Sequence, residues 1–404
     1  MLGKLSIREV SENSGFRKEG IGVIMQNKLS CYKQYHKRNK HRIAPFCGLL
    51  LAALCGFTGC GTEHNEAVTS ISFSQDDSTG QFAADDGHTI TIGFAQVGEE
   101  SDWRRTNSDS VRNTFTTDRG YNLLFEDAQN DPDAQVSAVS RFIQQGVDYI
   151  VLEPIVKTGW DKVLGDVQKA GIPVIVADRQ LTLEDDSLYT AWVGSDPELE
   201  GDKVCAWLHA LAEKRGLDES QFRVGIIQGT IGSSPQIGRE KALREAASDY
   251  GWSIVGSERG EFTQAKGREA MDALLGKYPD LNIVYCDNDN EAYGAIEALE
   301  AAGKTIGTDI NNGEIMIVAF DAAKKALSYV RKGLIACDGE CNPFLGPEIE
   351  KMILALEEGK SVEKIRYVDE GIYAGNQEIH SVIVDGKTYP VTPVTQDLLE
   401  KRVY

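Results

Sequence analysis

The sequence predicts an α/β fold of two comparable parallel-sheet units, and three observations predict it. From residue 89 onward short apolar runs alternate with amphipathic stretches, Gly follows several of those stretches, and the alternation restarts past Val193–Pro197. Strand followed by helix, repeatedly, builds parallel strands, because a parallel neighbour is reached only through a crossover.

In the first unit the runs Ile90–Phe94, Asn122–Phe125, Tyr149–Leu152 and Pro173–Ala177 read as strands. The stretches Asp109–Arg119, Ala134–Gln145 and Trp160–Lys169 read as helices, closed by Gly120, Gly146 and Gly171, where a left-handed stop favours glycine. The second unit opens with a helix over Glu198–Arg215. Strands then follow at Arg223–Gln228, Trp252–Ser257, Asn282–Cys286 and Ile315–Phe320, with helices at Gln236–Tyr250, Ala265–Tyr278 and Glu291–Ala302 between them. The tail adds a helix at Ala323–Lys332, a strand near Leu334–Cys337, a helix at Gly346–Glu358 and a short β-rich ending. One lobe therefore covers about 89–194 plus a later return of the chain, and the other about 195–321 plus part of the tail.

The 404 residues carry a net charge of −20, and 41% of them are apolar, which suits a globular chain with a sizeable core. The charge is uneven. Residues 1–59 hold ten Lys/Arg against three Asp/Glu, so the rest is strongly acidic and offers no basic face to a phosphate backbone. Nucleic acid is excluded as a partner of the main domain.

The amino-terminal region follows the grammar of an export signal. A basic run (Lys33, Lys37, Arg38, Lys40, Arg42) precedes fifteen uncharged residues, Ile43 to Phe57, too few for a permanent membrane helix. Phe57-Thr58-Gly59-Cys60 resembles a bacterial lipobox, with Phe57 in place of the usual Leu, and makes Cys60 the lipidation site. Residues 1–59 are thus the signal region, with Met25 well placed as the initiator of an over-long start, and 60–88 are the anchor Cys and a polar flexible spacer. A helix-turn-helix beginning at Leu5 lacks a recognition-helix pattern.

Catalytic motifs are missing. There is no GxxxxGK[ST], GxGxxG after the first strand, GxSxG or HExxH. Four of the six His lie in the signal or spacer, and His209 and His380 stand alone, so no metal or triad site is assigned. Cys337 and Cys341 form CxxxC without a second pair to complete a zinc tetrad, and Cys205 and Cys286 read as buried thiols. Gly229-Thr230-Ile231-Gly232 reads as a plain strand-to-helix turn.

What recurs is a set of polar and aromatic residues at the carboxyl ends of predicted strands, where open parallel sheets bind ligands. Gln96 through Arg104 includes Glu100 and Trp103. Then come Glu153-Pro154 with Trp160, Asp178-Arg179, Gln228-Gly229-Thr230 with Arg239, Asp287-Asn288-Asp289, Asp321 and Glu340-Cys341-Asn342-Pro343. Carboxylates, amides, guanidinium groups and an indole face suit a neutral polyol.

Together these motifs resemble, over roughly residues 89–375, the pentose and hexose substrate-binding proteins of ABC sugar importers, and within them the galactofuranose-binding branch. The resemblance implies a type I periplasmic-binding-protein fold, two doubly wound Rossmann-like lobes joined by three hinge crossings, with a monosaccharide in the cleft. It implies hydroxyl-binding roles for Asp178 and Arg179 from the first lobe, stacking by Trp103 or Trp160, and Arg104 as a further donor. From the second lobe it implies Thr230, Arg239, Asn288 and Asp321, with Glu340 near a hinge; Asp321-Ala322 departs from the family's Asp-Gly pair. A monomeric, lipid-anchored carrier delivering sugar to an ABC permease follows, without cofactor or covalent chemistry. A sugar-sensing subunit with the same fold and an exported carbohydrate-modifying enzyme are the alternatives.

Overall fold

A computed structural model of the chain describes residues 89–404 apart from Asn376. The export signal, Cys60 and the spacer assigned to residues 1–88 lie outside the described residues.

Lobe 1 opens with β1 (Ile90–Gln96), α1 (Asp102–Thr114), β2 (Tyr121–Asp127), α2 (Pro132–Gln145), β3 (Tyr149–Leu152), α3 (Asp161–Ala170), β4 (Val174–Ala177) and β5 (Ala191–Gly194). Lobe 2 continues with α4 (Pro197–Arg215), β6 (Arg223–Gln228), α5 (Ser234–Tyr250), β7 (Ser253–Arg259), α6 (Gln264–Lys277), β8 (Ile283–Cys286), α7 (Asp289–Ala301), β9 (Met316–Asp321), α8 (Lys324–Lys332) and β10 (Cys337–Glu340). The chain then returns to lobe 1 as α9 (Gly346–Glu357) and β11 (Ile365–Tyr367). It finishes in lobe 2 with β12 (Ile372–Ala374), the hairpin β13 (Ser381–Val384) and β14 (Lys387–Pro390), β15 (Thr392–Pro393) and α10 (Gln396–Lys401).

The lobe 1 sheet has the order β11-β5-β4-β3-β1-β2 and is parallel throughout. The lobe 2 sheet has the order β15-β12-β10-β9-β8-β6-β7, with only the β10–β12 pair antiparallel. In β3, β4, β5 and β8 every residue is buried, the mark of strands covered by helices on both faces. Three segments, 194–197, 340–346 and 367–372, carry the chain between the sheets.

Local chemistry sets the helix starts. Asp131 and Asp196 accept backbone N–H groups at the starts of α2 and α4, each followed by Pro in the first turn. Asn288 caps α7 in a reciprocal box with Glu291.

Two predicted elements are corrected and a third element is added. α1 begins seven residues before the predicted Asp109, because Ser101 Oγ accepts from Arg104 N and caps the helix there. Trp103 and Arg104 thus sit in a first helical turn and not in a loop. The strand read near Leu334–Cys337 pairs instead at Cys337–Glu340, where a polar segment is buried because its carboxylates find partners. β5, four buried residues beside the assumed boundary, has no counterpart in the sequence reading.

Candidate functional site

The carboxyl ends of both sheets face one cleft. Its walls are Glu100, Ser101, Trp103, Arg104, Asp178 and Arg179 from lobe 1, Pro235, Arg239, Phe262, Asn288 and Asp321 from lobe 2, and Cys341 from a crossing.

On the lobe 1 side, Arg104 is the centre of a buried ion cluster. Its Nη2 donates to Asp178 Oδ2 at 2.6 Å, Nη1 to Glu153 Oε2 at 2.6 Å and Nε to Glu100 Oε1 at 3.2 Å. Burial would lower the Arg104 pKa, but the three carboxylates hold it well above its ordinary value. Burial likewise pushes the Glu153 carboxyl up to about 7 against the pull of Arg104. Arg179 Nη2 donates to the same Glu100 Oε1 at 2.9 Å, and its Nη1 to the Ile155 carbonyl at 3.1 Å. Trp103 Nε1 donates to the Cys341 carbonyl at 2.7 Å, which fixes the indole plane beside the cavity.

On the lobe 2 side, Arg239 is held by Glu200 Oε2 at 2.7 Å and by the Asp287 carbonyl at 2.5 Å, and it approaches Asp321 Oδ1 at 3.5 Å. Asn288 Nδ2 donates to the Phe262 carbonyl at 3.2 Å, tying the α7 cap to the loop that carries the Phe262 ring. Asp178, Phe262 and Asp321 all have positive φ, the kind of local strain that concentrates at ligand clamps.

The structure brings Trp103, Arg104, Asp178, Arg179, Arg239, Asn288 and Asp321 together around the cavity. Trp160, Thr230 and Glu340 do not line it. Trp160 is 1% exposed and packs in the lobe 1 core, its Nε1 donating to the Val156 carbonyl, so its ring has no face for a ligand. Thr230 sits in the turn after β6 and its carbonyl accepts from Ser233 N. Glu340 faces the hinge, where it accepts from Gly371 N at 2.7 Å and from Arg402 Nη1 at 2.7 Å. The sequence reading missed Phe262 because the apolar run was ended at Ser257. β7 continues to Arg259, which puts Phe262 just past a strand end.

Among the described residues, hydrogen bonds cross the cleft outside the cavity from Asp102 N to Asn290 Oδ1 at 3.1 Å, Gln180 N to Ser234 Oγ at 2.9 Å and Lys157 N to the Gly232 carbonyl at 3.3 Å. The lobes are therefore closed on each other. The space left inside is about 20 Å³, roughly that of one water. A larger ligand enters only when the lobes part.

The crossings are cross-linked in turn. Ser195 Oγ donates to Glu370 Oε1, Asn342 N donates to the same oxygen at 2.7 Å, and Ser195 Oγ lies 3.2 Å from Cys341 Sγ. Glu200, Cys341 and Glu370 place possible metal-ligand atoms within 4.8 Å of one another. Their carboxylates are already engaged by Arg239, Ser195 and Asn342, which makes them a hinge network.

A periplasmic binding protein domain is matched over residues 92–339. The chain belongs to the periplasmic binding protein family. This binding protein is 34% identical over 291 residues to the galactofuranose-binding protein YtfQ of Escherichia coli (strain K12), covering 70% of this chain and 87% of that one. A Mycobacterium smegmatis protein solved with β-D-fucofuranose superposes with a TM-score of 0.67 at 36% identity, over 72% of this chain and 93% of its own. A galactofuranose-binding protein superposes with a TM-score of 0.68 at 30% identity, over 78% and 98%. With two parallel-sheet lobes and three crossings, the binding protein has the type I fold. Among its described residues no helix is long and apolar enough to cross a membrane.

The electrostatics of the binding protein narrow its ligand. Each cavity guanidinium already faces a carboxylate of its own lobe, so among the described residues lining the cavity no guanidinium is left without a counter-charge. Glu100 Oε2 and Arg179 Nε are buried without a hydrogen-bond partner among the described residues, one an acceptor and one a donor. A hydroxyl, which does both, satisfies such a pair.

Proposed function

We propose that this protein captures a neutral monosaccharide in furanose form, galactofuranose or a related aldose, and delivers it to an ABC permease by hinge closure. The observation that carries the reading is the ring of charge-balanced donors and acceptors that both lobes turn towards one cleft. Vicinal hydroxyls match the paired oxygens of Asp178 and Asp321 and the planar forks of Arg104, Arg179 and Arg239. Trp103 and Phe262 offer ring faces to the C–H surface of a sugar. The relatives named for galactofuranose and crystallised with β-D-fucofuranose support the furanose form.

Only the closed protein contacts the sugar from both sides, so binding shifts the open and closed populations towards closure. The permease reads that closed surface. The carrier acts as a monomer without catalysis, exported and tethered to the outer face of the cytoplasmic membrane through acyl chains on Cys60. Asp178, Arg179 and Arg104 hold the sugar on the lobe 1 side, and Arg239, Asn288 and Asp321 hold it on the other.

Calorimetric titration against D-galactose, D-fucose, L-arabinose and D-ribose, with recovery of the sugar afterwards, tests the reading. One-to-one binding with the sugar unchanged is expected. Product formation overturns the carrier, and silence across the panel overturns the ligand class. Mass spectrometry of the membrane fraction, comparing wild type with Cys60→Ser, tests the acyl anchor.

A further inference from the structure

Asp321 and Ala322 have φ of 108° and 55°, two successive residues with side chains in a region that crowding at Cβ disfavours. Neither is glycine, yet this turn aims Asp321 at the cavity and at Arg239. A conformation of this kind persists only where its surroundings over-determine it.

The surroundings do so through four backbone contacts around the turn. Ala322 N donates to Asp338 Oδ1 at 3.2 Å and Ala323 N to Asp289 Oδ2 at 2.8 Å. From the far side Arg402, just past α10, closes a fork on the Ala322 carbonyl, Nε at 3.1 Å and Nη2 at 2.8 Å. Its remaining nitrogen, Nη1, donates to Glu340 Oε1 at 2.7 Å and to Tyr373 Oη at 3.2 Å. The backbone runs on to the Tyr404 carbonyl, which accepts from Lys324 N at 2.5 Å. Arg402 itself does not line the cavity.

We infer that Arg402 is a positioning residue for sugar binding, whose guanidinium fork holds the Ala322 carbonyl and so keeps Asp321 turned into the cleft. The planar fork matters more than the charge, because two N–H groups converge on one carbonyl while a third holds Glu340. Lysine, a point donor, reproduces the charge without the convergence.

The inference rests on the binding reading above for its affinity readout, and a second readout is independent of it. In the full chain, Arg402→Ala and Arg402→Lys are expected to weaken titrated binding of D-galactose or L-arabinose by roughly tenfold, the scale of one strained residue released. Adding Ala322→Gly to the Arg402→Ala chain is expected to recover most of that loss, since glycine adopts the left-handed turn unaided. Amide exchange at Ala322 and Ala323 in sugar-free protein is expected to quicken about tenfold in Arg402→Ala. Wild-type affinity in both Arg402 variants overturns the inference, as does a double variant no better than Arg402→Ala. If the wild-type chain binds no sugar, the binding reading falls, and the exchange at Ala322 and Ala323 still decides this one: faster supports it, unchanged overturns it.

Discussion

Arg239 and Glu200 connect the cavity to the hinge. The guanidinium reaches Asp321 with one nitrogen and holds Glu200 Oε2 at 2.7 Å with another, while Glu200 lies within 4.8 Å of Glu370 on the third crossing. A ligand that pulls on Arg239 therefore pulls on the residue that packs against the hinge. Glu200→Gln keeps an acceptor but removes the charge. We expect it to lower sugar affinity about tenfold and to lower the melting temperature by several degrees, because a buried guanidinium loses its counter-charge. Unchanged affinity in titration would separate the hinge from the site.

Asp178→Asn tests the lobe 1 cluster. Asn tolerates the left-handed φ of 58° at this position, so the backbone is preserved while the charge facing Arg104 is lost. The expected result is a loss of affinity of roughly a hundredfold, the scale of a charged hydrogen bond or two, with melting shifted by only a few degrees. Retained affinity would remove Asp178 from the site.

Gly229 lies beneath the Phe262 ring, and a Cβ there would come within 2.1 Å of it. Gly229→Ala is expected to drive the ring into the cleft and weaken binding more than tenfold without touching a polar contact. Phe262→Leu in that background should restore part of the affinity, as read by the same titration. A Gly229→Ala protein that binds like wild type would show that the ring yields elsewhere.

Ser234→Ala and Asn290→Ala remove the acceptors of Gln180 N and Asp102 N across the cleft while leaving the cavity intact. Each bond is worth about 1 kcal/mol, so each variant should bind severalfold more weakly and release sugar faster. Small-angle scattering of the sugar-free protein should show a larger radius of gyration. Equal radii and release rates would mean these contacts do not set closure.

Asp338 gives stability a pH dependence of definite sign. Its carboxyl is fully buried, shares a hydrogen bond with the Asp289 carboxyl, and is pushed up to about 7 by desolvation, with Arg402 and Arg239 opposing. Between about pH 4 and 7 the folded chain keeps this proton and the unfolded chain gives it up. The fold therefore weakens as pH rises through that window, by at most about 1.4 kcal/mol per unit for one group, and levels off above it. Asp338→Asn should flatten the slope and raise stability at pH 8. Urea midpoints at pH 5, 6 and 8 measure it, and an unaltered slope would contradict the assignment.

Periodicity was enough to read most strands and helices, since β3 and β6 are apolar runs bounded by turns. It misled where polar chemistry decides. Ser101 moved a helix start, and the buried carboxylates of β10 disguised a strand. At the site, proximity to a strand end located Asp178, Arg179, Asn288 and Asp321, whereas Arg239, grouped with Gln228-Gly229-Thr230, projects from the interior of α5. Trp160 shows the limit of residue type as evidence. An indole beside Gly159 looks like a stacking face until its N–H finds the Val156 carbonyl and the ring turns inward. Arg402 carries no local signal, because its role depends on the Ala322 carbonyl, distant in sequence.

The return of the chain through α9 and β11 makes biogenesis a two-lobe affair. β11 pairs with Trp192–Gly194 only after all the strands from β6 to β10 have been synthesised, and α9 packs on α1 from equally far away. Neither lobe is a translational unit, and the long loop must be closed before its contacts reward it. Refolding should thus end in a late, concerted docking of the return segment, during which an edge of the lobe 1 sheet stands bare and open to self-association.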